Sequence, residues 1–277
     1  MSSSGQSGKR KKAYEAGIMK KLWISVIVIF LLAGCASTFQ EKRGLSKPMV
    51  GIAMSKIQQE DIHGALVELR RAARENPKDP EIYYAYALAY LKTGKYDQAL
   101  ENVDRAISLA DRLSFDHPGF KSEAYNLKGT ILVNEGNTQD AIKAFRNALK
   151  DELYATPEYA LYNLASLYFQ NRSCEEAEHY AQQALEANNH YAPALKILGQ
   201  IFLKQDRDAQ AIEAFQKAIL EFPGYAEAHW ELAQAYFKAG SIPKAAEHLR
   251  EVIRLDENGL LGAAARQSIQ SLGESGQ

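Results

Sequence analysis

One pattern of residues recurs along most of this chain. Ala87-Leu88-Ala89-Tyr90, followed by Gly94 and Ala99, is matched by Lys128-Gly129 with Leu132, Gly136 and Ala141, and then by Leu164-Ala165 with Tyr168 and Ala177. Leu198-Gly199 with Phe202 and Ala211, and Leu232-Ala233 with Tyr236, Gly240 and Ala245, extend the series. A degenerate copy with Ile52-Ala53, Ala65, Leu69, Ala72 and Pro77 precedes it. Copies starting at residues 46, 80, 122, 158, 192 and 226 are separated by 34, 42, 36, 34 and 34 residues. A chain of this kind stacks one supersecondary unit on the next, because no single copy can bury its own apolar face. The two long intervals predict insertions near Leu113–Lys121 and Asp151–Pro157.

Each copy reads as a helix pair. In the run from Asp140 to Leu149 the apolar residues Ala141, Ile142, Phe145, Ala148 and Leu149 lie on one helical face. Gly94, Gly136 and Gly240 mark turns between paired helices, and Pro77 and Pro223 mark helix ends. No alternating strand pattern of useful length is present. These residues and their period resemble the tetratricopeptide repeat, in which small residues sit where two antiparallel helices cross. The resemblance implies an all-α fold, a right-handed superhelix of antiparallel helix pairs, with six repeats over residues 46–259. A capping helix, Leu260 to Leu272, and a tail complete the chain over 260–277.

The N-terminal part reads as an address. Met19-Lys20-Lys21 opens a secretory signal whose apolar run, Leu22 to Ala33, is 12 residues long. Such a run makes about 18 Å of helix, too short for a hydrocarbon core of about 30 Å. Leu32-Ala33-Gly34-Cys35 resembles the lipobox of bacterial lipoproteins, in which the signal is cut before a cysteine that is then acylated. On this reading residues 1–34 are a lipoprotein signal peptide, with 1–18 either an overcalled start or a long basic n-region. Cys35 is the lipidation site and 35–45 a lipidated linker. Several acyl chains, palmitate among them, would anchor the protein at about 0.8 kcal/mol per buried methylene. Ala36 after the cysteine fits sorting to the outer membrane.

The first helix of each tetratricopeptide pair lines the concave side of the stack. Mapped here, those positions are Tyr84, Leu88 and Leu91, then Asn126, Thr130 and Val133, then Tyr159, Tyr162 and Phe169. Lys196, Gln200 and Lys204, and Trp230, Gln234 and Phe237, follow. Large aromatics can each bury about 150–250 Å², which suits a peptide segment from a protein partner. The competing reading is packing against neighbouring repeats. Lys196 and Lys204 fit acidic groups of a peptide, or are simply solvated. The Lys and Asn arrangement with which chaperone co-factors clamp a C-terminal carboxylate is not reproduced.

Charge and composition narrow the function classes. Over 277 residues, 33 Lys and Arg stand against 34 Asp and Glu. Without residues 1–34 the balance is 27 basic against 33 acidic side chains, a charge of -6. A nucleic-acid binder carries the opposite excess, so no nucleic-acid partner is expected. The two cysteines, Cys35 and Cys174, allow no Cys-rich zinc site, and the six histidines show no metal-ligand spacing. Cys174 falls in the expected turn Arg172-Ser173-Cys174, where a nucleophile would need a base beside it. There is no phosphate loop and no nucleophile elbow. No catalytic residue, metal, cofactor or small-molecule substrate is expected.

A second resemblance lies in the run from Ala148 to Leu164. Ala148-Leu149-Lys150-Asp151-Glu152-Leu153-Tyr154-Ala155-Thr156-Pro157, leading to Asn163-Leu164, resembles the junction between the central repeats of the type IV pilus pilotins, the PilF, PilW and Tgl type. It falls where the interval lengthens from 34 to 36 residues. The resemblance implies a lipid-anchored scaffold on the periplasmic face of the outer membrane. Its partner would be the secretin subunit of the pilus, whose localisation and multimerisation it assists. The alternative is a lipoprotein adaptor for envelope enzymes, such as peptidoglycan hydrolases, or for outer-membrane protein assembly.

Overall fold

The computed structural model describes residues 41–113 and 116–274, with residues 272–274 by backbone alone. Cys35, the signal segment and the first part of the linker lie outside the described residues. Among the described residues all regular structure is helical. Helix α1 is described over 41–58. It is followed by α2 (Ile62–Glu75), α3 (Pro80–Lys92), α4 (Tyr96–Leu109), a 3-10 turn (Ala110–Leu113), α5 (Phe120–Glu135) and α6 (Thr138–Ala148). Then come α7 (Pro157–Gln170), α8 (Cys174–Ala187), α9 (Ala192–Lys204), α10 (Asp208–Glu221), α11 (Ala226–Lys238), α12 (Ile242–Leu255) and α13 (Leu260–Glu274). The first helices of the second, fifth and sixth copies start at the residues expected from the repeat, 80, 192 and 226. Residues 41–45, counted with the linker on sequence grounds, are helical. The reason is tertiary: Arg43 is buried against Glu81 at 2.9 Å, and the Ser46 hydroxyl donates to Asp79 at 2.8 Å.

The chain forms two compact units, one ending at Lys95 and the other beginning at Tyr96. In the first, Val50, Ala53 and Ile57 of α1 meet Ala65, Leu69 and Ala72 of α2 and Ile82, Ala85 and Ala89 of α3. Alanines line the crossings because a methyl group lets two helix backbones approach, and larger residues fill the gaps around them. In the second unit successive pairs pack in the same manner, and each first helix also touches the next first helix, α5 on α7, α7 on α9, α9 on α11 and α11 on α13.

Two crossings are tighter still. A Cβ added to Gly129 would lie 2.4 Å from Cε1 of Phe145, and one added to Gly199 would lie 2.5 Å from Cε1 of Phe215. Both rings are fully buried. In the copies that carry Ala165 or Ala233 at the equivalent place, the residue sixteen positions on is Ala181 or Leu249, not phenylalanine.

The turn inside each pair has one backbone geometry whatever its sequence. Positive φ recurs at Glu60 (63°), Gly94 (69°), Gly136 (90°), Arg172 (62°), Asp206 (58°) and Gly240 (72°). Their spacing reproduces the intervals between the copies. Glycine takes the left-handed region freely, whereas an L side chain there costs roughly 1–2 kcal/mol. The three non-glycine turns are held because the helices on either side fix them.

The two expected insertions meet each other. Gly119, at φ 84°, presses on the peptide of Leu153, whose oxygen would lie 2.5 Å from an added Cβ. Leu113, Phe120 and Tyr154 are buried around this contact, and His117 bonds to Glu123 at 2.9 Å while meeting the Phe120 ring edge-on. The Asp151 carboxylate accepts from the Leu153 amide at 3.0 Å, which folds the second insertion into a compact turn ahead of Pro157.

Candidate functional site

Helix N-termini of the early copies carry ordinary caps. The Asp61 carboxylate accepts from the Gly64 amide, that of Asp79 from Glu81, and the Asn137 side chain accepts from Asp140. Gly119 before α5 and Thr156 before α7 make no side-chain capping bond, and neither do Tyr191 before α9 and Tyr225 before α11. Both rings meet neighbouring side chains instead. Tyr159 and Tyr162, one turn apart on α7, meet Tyr191 edge-on with centroids 5.4 and 5.8 Å away. Lys196 of α9 holds its ammonium 5.5 Å from the centroid of Tyr225.

The result is a patch of four phenols and a lysine on repeats four to six. Burial, and then the neighbouring Tyr162, push the Tyr191 and Tyr225 hydroxyls well above the usual phenol range. Both stay neutral donors at any physiological pH. Tyr159 remains 45% exposed, so the patch offers ring surface as well as hydroxyls. Such a surface takes apolar side chains on its rings and peptide carbonyls on its O–H groups.

Polar contacts run between first helices beside the patch. Asn163 donates to the Asn126 side-chain oxygen at 3.2 Å, and Gln200 donates to Glu231. The other expected groove residues divide by environment. Phe169 and Trp230 are half-buried and pack on apolar clusters, Phe169 on that of Ala177 and Ala181 and Trp230 on that of Leu249, Val252 and Ala265. Phe237 is 54% exposed and with Gln234, Leu249, Ser268 and Ser271 lines a pocket of ≈ 190 Å³ beside α13. Lys204 is exposed at the end of α9. Tyr84 and Leu88 belong to the first unit, on α3, where both are half-buried and Leu88 packs against that unit's core.

Sequence reasoning missed Tyr191 and Tyr225. The signal was available: two tyrosines 34 residues apart, each standing where Ser, Thr, Asp or Asn is favoured before a helix. It also missed a histidine pair, because the partners sit 19 residues apart on different helices. His229 is buried, with Nε2 3.2 Å from the Pro223 carbonyl and Nδ1 3.1 Å from Nδ1 of His248. A carbonyl only accepts, so Nε2 of His229 carries a proton, and at the Nδ1–Nδ1 contact one ring donates to the other. His248 also stacks on Tyr236, 5.7 Å between centroids. Burial and the second imidazole hold His248 below its ordinary value, against the pull of Glu247 and Glu251. Two nitrogens are no metal site, and among the described residues no group of three or more His, Cys, Asp or Glu could hold an ion.

Cys174 does not lie in the turn where sequence placed it. It is the first residue of α8, half-buried beside the cluster of Ala177 and Ala181, and its thiol is free. The turn ends at Ser173, whose amide donates to the Tyr168 carbonyl. Among the described residues no helix is long and apolar enough to cross a membrane.

Tetratricopeptide repeat profiles match residues 56–131, 126–192, 162–225 and 198–259. Among curated proteins the chain is similar to an Hsp70-Hsp90 organizing protein of Triticum aestivum, 26% identical over 220 residues. That alignment takes in 76% of this chain and 35% of the relative, so the chain spans about a third of the length of the protein it matches. Among solved structures it is similar to Pseudomonas aeruginosa PilF, with a TM-score of 0.69, 16% identity, and 83% of this chain against 99% of that one. It is also similar to PilW, described as a widely conserved type IV pilus biogenesis factor, with a TM-score of 0.66, 21% identity, and coverage of 78% and 96%. Identities this low speak for the fold alone. With overlapping profiles covering residues 56 to 259 without a break, the chain belongs to the tetratricopeptide repeat family, whose helix pairs serve as scaffolds for protein partners.

Proposed function

We propose that this protein is a lipid-anchored pilotin, held at the periplasmic face of the outer membrane through Cys35, that assists localisation and multimerisation of a type IV pilus secretin. The observation that carries this reading is the junction from Ala148 to Pro157. Its residues resemble the pilotin junction, and its Tyr154 is buried in the core of repeats three and four. A fold similar to PilF and PilW supports it. The tyrosine patch of repeats four to six receives an apolar segment of the partner. Tethering both proteins to one membrane raises their effective concentration and so favours ring assembly. Deleting the gene should abolish heat-stable secretin multimers on gels of membrane fractions. Unchanged multimers in a piliated host would overturn the proposal and leave an adaptor for other envelope proteins as the working reading.

A further inference from the structure

Helix α1 buries one face and leaves the other bare. Arg43, Ser46, Val50, Ala53 and Ile57 point into the first unit. A helical projection places Leu45, Pro48 and Ile52 on the opposite side, with exposed Glu41 at the first end of that strip and exposed Ser55 at the last, and Leu45 is 55% and Ile52 49% exposed. Gly44 and Gly51 lie along the same strip, with open space where a Cβ would stand. Pro48 has no amide hydrogen to give the Gly44 carbonyl, so that carbonyl takes its hydrogen bond from water or a headgroup at the border of the strip.

The charges around the strip are basic. Residues 41–58 contain Lys42, Arg43, Lys47 and Lys56 against Glu41 alone, a local charge of +3 in a mature chain of -6. Arg43 is buried on Glu81, and Lys56 reaches Asp61 at 3.0 Å. Lys42 and Lys47 are exposed and flank the apolar strip on its two borders. An apolar stripe between lysines is the arrangement of a helix lying in a membrane interface, its lysine stems on the acyl boundary and its ammonium groups among phosphates. Chain length sets the distance. Six peptide steps separate Cys35 from residue 41, at most about 3.6 Å each, so an acylated Cys35 keeps the start of α1 within about 22 Å of the lipid.

We propose that the Leu45–Pro48–Ile52 face of α1 seats on the lipid surface beside the anchor and fixes how the first unit meets the membrane. The inference rests on the acylation of Cys35 and deepens that reading from attachment to orientation.

The full chain, purified with its native acyl group, is reconstituted into phosphatidylethanolamine and phosphatidylglycerol vesicles in the Cys174→Ser background. An environment-sensitive fluorophore is attached at Leu45→Cys, Ile52→Cys or, as the control, Val67→Cys on α2, which is 40% exposed. The expected result is a blue shift, and quenching by brominated lipid, at positions 45 and 52 and neither at 67. Mass spectrometry and vesicle flotation report acylation separately. A chain that is acylated and floats, yet shows no brominated-lipid quenching at 45 and 52, overturns the orientation while the anchor stands. A blue shift without lipid quenching means that protein covers the face, and also overturns it. A chain without an acyl group overturns both.

Discussion

Gly129 and Phe145 allow the packing of repeat three to be tested quantitatively. In Gly129→Ala the new methyl carbon would lie 2.4, 2.6 and 2.7 Å from three atoms of the Phe145 ring. Carbon atoms settle at about 3.5–4.0 Å, so the ring or the helix must withdraw by about 1 Å. Phe145 is fully buried, so the withdrawal strains its neighbours, at about 2–3 kcal/mol for overpacking of this kind. Alanine recovers about 1 kcal/mol of helix propensity. The net expectation is a destabilisation of about 1–2 kcal/mol, read as a lower urea midpoint by far-ultraviolet circular dichroism. The sign should then reverse when the ring is removed. Phe145→Ala alone costs about 3–5 kcal/mol, and adding Gly129→Ala to it should restore up to about 1 kcal/mol. A neutral Gly129→Ala in the parent, or the same loss in both backgrounds, would refute the proposed contact. Gly199 and Phe215 provide an internal replicate.

Other outcomes follow from single features. Glu60 is a side chain at φ 63° where three of the other copies carry Gly94, Gly136 and Gly240, so Glu60→Gly should stabilise the first unit by about 0.5–1 kcal/mol, seen as a higher thermal midpoint. His248 is held below the unfolded-state value of about 6.5, so its contribution is complete above that pH and is lost as pH falls through it. The melting temperature should therefore drop between pH 7 and pH 5, and His248→Gln should flatten the slope. Tyr159→Ala should weaken capture of a secretin segment about tenfold in a pull-down titration while leaving helical content intact, whereas Lys217→Ala, a paired residue on α10, should change nothing. Arg207 lies 4.1 Å from the Phe202 ring centroid and bridges to Glu178 at 2.8 Å, so Arg207→Ala should cost about 1–2 kcal/mol in chemical denaturation.

The periodic part of the fold was open to reading from sequence, because small residues at helix crossings and glycine at turns have direct steric causes. Copies therefore begin at 80, 192 and 226 as counted. What escaped was decided by tertiary contact. Arg172 and Asp206 give no local hint of a left-handed backbone; only their phase with Gly94 and Gly240 does. Helix α1 begins earlier than its hydrophobic pattern suggests because Arg43 finds Glu81 on α3 and Ser46 finds Asp79, the residue that caps it. Among the groove residues, sequence placed Tyr159 and Tyr162 on a common face. It could not distinguish them from Trp230, which the helix after the last repeat half covers. Tyr191 and Tyr225 complete the patch from the turns before their helices, where a rule based on helix faces does not look.

The contact between Gly119 and Leu153 gives repeat three a different standing from repeats four to six. Repeats five and six are joined by connections of standard length, so a copy there can be removed, duplicated or exchanged as a cassette. Repeat three is clasped at both ends by insertions that pack on each other. Its two lengthened intervals are one feature of the protein, not two accidents of spacing. They can be inherited, lost or grafted only together, and a lineage that alters either without the other gives up the buried seam between them.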